Sequence, residues 1–198
     1  ESSLVDVNDI FKNFEGYAKN FEKNIVKTGI PTLDENCLFL TSTHNGVLGQ
    51  PGSGKTTFAL QWLEEVSKNG SAALFYSLDM GQPIVYGKLV QKVLGCSFRE
   101  LMEILKNNPE KLQEAHEKIK VNFANVQFNF KSSVTTDMIK EDVRNYEQTT
   151  GKKVRLLIVD YLECLAGSSS DPLVNAAQIS QQMKDIANEF NLCSVMLL

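Results

Sequence analysis

Apolar and polar positions along the chain fall into blocks with two different periods. In residues 6–21, Ile10, Phe14, Tyr17 and Phe21 recur at helical spacing and share one face of an amphipathic helix. Ser3 and Asp6 read as a capping pair ahead of it. Four large apolar residues on one terminal face must dock, either on their own domain or on a neighbouring subunit. Gly29-Ile30-Pro31 breaks the chain, and 32–48 read as two short strands around a polar turn, Thr41 to Gly46. Continuous apolar runs at 72–78, 154–159 and 193–198 read as buried strands. Val126, Phe128 and Phe130 alternate in strand fashion over 125–130. Helices are predicted at 54–68 (stopped by Asn69-Gly70), 82–94, 97–107, 109–119, 134–149 and 173–190, with a small-residue loop at 167–172. Strands that alternate with helices, and are apolar throughout, predict an α/β fold: a mostly parallel sheet with helices on both faces. There is no internal repeat.

Composition narrows this picture only slightly. The 198 residues suffice for one domain or a little more, and the 42% apolar and 22% charged content is that of a globular protein. No apolar run approaches the ~18 residues that cross a bilayer, and no export signal opens the chain, so a cytoplasmic protein with no membrane partner is expected. The chain starts at Glu1 and ends on an apolar run, and so reads as a truncated piece. The net charge of -4 is unlike that of proteins that coat duplex DNA, which are usually basic. A nucleic-acid role would then rest on local cations or backbone amides lining a channel. Cys37, Cys96, Cys164 and Cys193 form no C-x-x-C pair and read as reduced core thiols; His44 and His116 lack partners at zinc-ligand spacing.

One motif carries chemistry directly. Gly49-Gln50-Pro51-Gly52-Ser53-Gly54-Lys55-Thr56 matches G-x-x-x-x-G-K-[ST] in full, after a short apolar strand and before a helix. Its glycines let successive N–H groups point at phosphate oxygens, and the helix that follows adds its positive end. Lys55 would reach the β- and γ-phosphates, and the Thr56 hydroxyl would bind Mg²⁺. Thr57 is a candidate contact too, although its place is that of a helix residue. Leu156-Leu157-Ile158-Val159-Asp160, an apolar strand ending in Asp, is the expected partner, with Asp160 supporting the Mg²⁺ shell. Tyr161 follows it, so the catalytic base is not an adjacent Glu. Asp79, at the end of the 72–78 strand, would share that sheet edge and could orient a water; capping of the next helix is its plainer role. Glu163 is the second candidate base, against a solvated loop carboxylate.

These motifs together resemble a known family. The order P-loop, Tyr76-Ser77-Leu78-Asp79-Met80, then Ile158-Val159-Asp160-Tyr161-Leu162 is similar to the motor domain of DnaB-type replicative helicases, and nearest to phage-encoded members. Lys27-Thr28-Gly29-Ile30-Pro31-Thr32-Leu33-Asp34 resembles the segment that opens RecA-like motor domains, and Ala177-Gln178-Ile179-Ser180 with Met183 to Ala187 resembles the helix after a DNA loop. The resemblance implies a RecA-like P-loop ATPase domain over 24–198, preceded by a linker helix over 1–23 that docks on the adjacent subunit. It implies ATP and Mg²⁺ as cofactors, Asp79 in the place of a catalytic Glu, and 167–172 facing single-stranded DNA in the channel of a hexameric ring. It implies hydrolysis of ATP between subunits, with a primase or a helicase loader as partner, in a bacterial cell or phage-infected host. The departures are specific. Asp79 is one methylene shorter than Glu, Glu163 stands where Gln is common, and 167–172 carries no Lys or Arg. The family's arginine finger and second DNA loop would lie past Leu198. Two other readings compete: a recombinase- or clock-type ATPase, and a nucleotide-gated binding module. A P-loop small-molecule kinase is more distant, because no lid-like Arg cluster is present.

Overall fold

The computed structural model describes residues 5–160 and 172–198. The chain runs α1 (Val7–Lys19), α2 (Phe21–Asn24), α3 (Pro31–Asn36), β1 (Thr43–Val47), α4 (Lys55–Lys68), β2 (Ala72–Ser77) and α5 (Gln82–Leu94). It continues through α6 (Phe98–Asn107), α7 (Pro109–Asn122), β3 (Val126–Asn129), α8 (Thr136–Thr150), β4 (Val154–Asp160), α9 (Pro172–Phe190) and β5 (Cys193–Leu197). Among the described residues the strands form one sheet in the order β1-β5-β4-β2-β3, and every pairing is parallel.

Side chains alternate across a strand, and both faces of this sheet are covered. Ala73 and Phe75 of β2, Leu156 and Ile158 of β4, and Val195 of β5 pack with Leu60, Trp62 and Leu63 of α4 and Leu89 of α5. The intervening residues Leu74, Tyr76, Leu157, Val159 and Met196 pack with Ile139 and Val143 of α8 and Ile179, Met183 and Ile186 of α9. Two cores on one sheet explain why these strands are apolar at successive positions. Trp62, Phe75, Leu157 and Ile158 are all fully buried.

Three expectations change. Over 32–48 there is one strand and not two. Pro31 opens α3, whose first turn has no partner for an N–H in any case. Asp34 of that helix accepts bonds from the Thr28 N–H (2.8 Å), the Thr28 hydroxyl (2.7 Å) and the Gly29 N–H (3.0 Å). The Thr-Gly…Leu-Asp signature is therefore a buckle that fastens the chain's entry to the domain. Thr43–Val47, expected partly as turn, is β1 itself.

The amphipathic segment at 6–21 divides at Asn20. Asp6 alone caps α1 within the described residues, accepting from the Asn8 and Asp9 N–H groups at 2.8 and 2.9 Å. Phe21 starts α2. The apolar face of α1 does not dock on its own domain: Ile10, Phe14 and Tyr17 are 54%, 62% and 42% exposed.

Of the cysteines, Cys193 is buried in the sheet and Cys37 is exposed. Burial pushes the Cys193 thiol up to about 12, which leaves it unreactive. Cys164 lies outside the described residues. Among the described residues no helix is long and apolar enough to cross a membrane.

Candidate functional site

The register of the sheet sets the site. At its carboxyl edge Val47 pairs with Leu197, Leu197 with Asp160, and Asp160 with Ser77. Segments leaving β1 and β2 at that row, and the last residue of β4, carry the candidate residues. This is where open α/β sheets form crevices.

After β1 the chain turns through Gly49–Gly54 into α4. Gly52 and Gly54 hold φ of +79° and +96°, in the left-handed region that disfavours side chains. Gly49 is close-packed instead: a Cβ there would stand 2.6 Å from Ser53 Oγ, so that hydroxyl would have to turn away. The loop is braced by the Gly49 N–H to the Leu198 carbonyl and the Ser53 N–H to the Gln50 carbonyl, both 3.1 Å. The Lys55 ammonium donates to the Gly49 carbonyl, and to the Gln50 carbonyl at 3.2 Å, so it is held across the loop. The Thr56 hydroxyl, in the first turn of α4, donates to Asp160 Oδ2 at 2.8 Å. This bond joins the two sequence motifs across 104 residues.

Asp79 lies two residues beyond the end of β2, in a bend and not in the strand. Buried Ser77 makes that bend: its hydroxyl donates to the Met80 carbonyl at 2.8 Å. The Leu78 N–H donates to the Asp160 carbonyl at 2.7 Å. Asp79 does not cap α5, whose N-cap is Gly81 and carries no side-chain bond. Its carboxylate instead lines the same cavity as the loop.

That cavity has a volume of about 560 Å³. It is lined by Gly49, Pro51, Gly52, Gly54, Lys55, Thr56 and Thr57 of the loop and α4, and by Asp79, Lys88 and Asp160. Thr57 thus belongs to the lining although it is helical, whereas Ser53 braces the loop. Glu163 lies outside the described residues, as does most of the 167–172 loop. Sequence reasoning missed Lys88. The signal for it was faint: a lysine on α5 beside the apolar positions Val85 and Leu89.

Burial pushes the Asp160 carboxyl above the usual carboxylate range. The Thr56 bond pulls against this, the neighbouring charge of Asp79 adds to it, and Lys55 and Lys88 pull it down. A buried carboxylate beside a hydroxyl is a hard-oxygen pair that favours a divalent cation. Among the described residues no cluster of three His, Cys, Asp or Glu could hold a metal by itself. The pair fits Mg²⁺ that arrives with phosphate oxygens and completes its shell with them.

Comparison with known proteins gives the chain's family and fold. Residues 26–198 match the family model for the DnaB-like helicase C terminal domain. No curated protein matches the chain by sequence. Among solved structures, the ATPase domain of a phage helicase superposes with a TM-score of 0.81 at 19% identity, covering 100% of this chain and 71% of that one. A DnaB-like replicative helicase, solved in a study of its interactions with primase, superposes with a TM-score of 0.82 at 20% identity, covering 99% of this chain and 48% of that one. At these identities the likeness is one of fold.

Proposed function

We propose, from the fact that this chain belongs to the DnaB-like helicase C-terminal domain family, that it is the ATP-hydrolysing motor of a replicative helicase that moves on single-stranded DNA. The observation that supports this most is the Thr56–Asp160 bond, which brings the P-loop and the β4 carboxylate to one cavity, with Asp79 on its wall.

The chemistry follows from positions. The backbone amides of 49–54 and the N-terminus of α4 receive the phosphates. Lys55 exchanges its carbonyl partners for β- and γ-phosphate oxygens. Thr56 and Asp160 would hold Mg²⁺, which would supply charge neutralisation on the phosphates. Asp79 accepts a proton from, or orients, the water that attacks the γ-phosphate. Glu163 is the alternative base.

A motor needs neighbours. Subunits arranged in a hexameric ring would place each cavity at an interface, with 167–172 towards the DNA. The exposed face of α1 supports this arrangement, because Ile10, Phe14 and Tyr17 form an apolar stripe that is not buried among the described residues. The 1–23 segment is then the linker that binds the adjacent subunit, and 24–198 the ATPase domain. A primase or loader would bind the assembled ring, in the cytoplasm of a bacterial cell or phage-infected host.

One observation favours a slower device. Asp79 is shorter than Glu, so a nucleotide-gated binding module remains the second reading. Two variants test the assignment. Lys55→Ala should abolish nucleotide turnover with the fold intact. Asp79→Asn should keep nucleotide binding and stop turnover. If Glu163→Gln does so and Asp79→Asn does not, the base is Glu163.

A further inference from the structure

We propose that Lys88 is a second phosphate-binding cation of this site, contacting the terminal phosphate of a bound nucleoside triphosphate from within the same chain. The inference rests on the nucleotide reading above and adds to it a residue that no motif marks.

Packing fixes where Lys88 stands. Val85 and Leu89, on either side of it along α5, are 1% and 4% exposed and anchor that helix to the core. Lys88 is half-buried on the same helix and reaches the cavity shared by Lys55, Thr56, Asp79 and Asp160.

Its neighbour on the helix shows what a structural lysine does here. Lys92, one turn later, donates to Gln61 at 2.8 Å and to the buried carboxylate of Glu64. Among the described residues no hydrogen bond or ion pair within 4.0 Å holds the Lys88 ammonium. A half-buried ammonium without a fixed partner, facing a cavity, gains most from an anionic ligand.

The side-chain charges lining the cavity sum to zero before any substrate enters. Lys55 and Lys88 offset Asp79 and Asp160, and a triphosphate adds negative charge to this set. The P-loop amides take the inner phosphates. The terminal phosphate is left on the side of Asp79 and α5, where Lys88 lies. Two of the three arginines are engaged elsewhere: Arg144 pairs with Glu189, and Arg155 donates to the Lys23 carbonyl.

The test is equilibrium binding of fluorescent Mg²⁺-ADP and of a non-hydrolysable triphosphate analogue to wild type, Lys88→Ala and Lys88→Arg, with Lys55→Ala as control. Lys88→Ala should weaken the triphosphate at least tenfold and the diphosphate less than threefold. Lys88→Arg should stay within threefold of wild type for both. If Lys88→Ala does not fold, Lys88→Gln, which keeps the stem, replaces it. Equal loss for the two nucleotides, or no loss for either, overturns the proposal. Wild type that binds neither nucleotide overturns the nucleotide reading itself, and is told apart because Lys55→Ala then has nothing to lose.

Discussion

Replacing Asp160 with Asn should make the nucleotide-free chain more stable while removing its response to Mg²⁺-nucleotide. The carboxylate is 6% exposed, and among the described residues the one hydrogen bond to its side chain comes from a neutral hydroxyl, that of Thr56, at 2.8 Å. Asp79 repels it, and Lys55 and Lys88 offset part of the penalty without bonding to it. Asn keeps the shape and can still accept the Thr56 bond, worth about 1 kcal/mol. The change therefore removes a buried charge and little else, a gain of about 1–2 kcal/mol. For a domain of this size that is roughly 2–8 °C in Tm. The assay is thermal unfolding at neutral pH, with and without an excess of a non-hydrolysable Mg²⁺-ATP analogue. Wild type should gain about 2.7 kcal/mol at a hundredfold excess of ligand over Kd. Asp160→Asn should start higher and gain little. The sign with pH follows from the same cause. The folded carboxyl titrates above its unfolded value, so its charge destabilises the fold near neutrality. The difference between the two proteins should shrink as pH falls through the folded value. A nucleotide-free variant that melts below wild type would refute the reasoning, because Asp160 would then be holding the fold together.

Two further outcomes are expected elsewhere. Glu64 is a buried carboxylate that accepts from Lys68 at 2.7 Å, from Asn122 at 2.6 Å and from Lys92. Burial raises its pKa, but the bonds from Lys68 and Lys92 outweigh this and hold it below the ordinary value. Its contribution is present above the unfolded value and is lost as pH falls through the folded one. Glu64→Gln should lower stability by about 1.5–3 kcal/mol at neutral pH, the size of a hydrogen bond to a charged group, with the gap in urea midpoint closing in acid; a gap that does not close contradicts the ion-pair account. Phe14→Ser, at a position 62% exposed, should leave the unfolding free energy within about 0.5 kcal/mol of wild type while shifting the sedimenting species towards monomer. Loss of stability without loss of assembly would mean that α1 packs on its own domain.

Much of the fold was legible because its strands are buried on both faces. Residues such as Leu156 to Val159 are apolar at every position, which a half-exposed strand would not allow. The P-loop was legible because its glycines answer backbone constraints, as the φ of Gly54 and the close approach at Gly49 show. The 32–48 region was misread because Asp34 spends its carboxylate on Thr28 and Gly29, six and five residues away, and no period records such a buckle. Ser77 was legible as a member of the Tyr76-to-Met80 motif but its task was not: it ties the bend that presents Asp79. Lys88 was hidden because a lysine on a helix usually snorkels to water. Only the packing of α5 turns this one towards the cavity.

The central claim is that this cavity drives a motor, and steady-state ATP hydrolysis with and without a long single-stranded DNA, at one stated salt concentration, tests it most directly. The full protein should hydrolyse ATP faster with DNA present, and Lys55→Ala should be inert in both conditions. Hydrolysis that is indifferent to DNA would contradict the motor and leave a nucleotide switch built on the same fold.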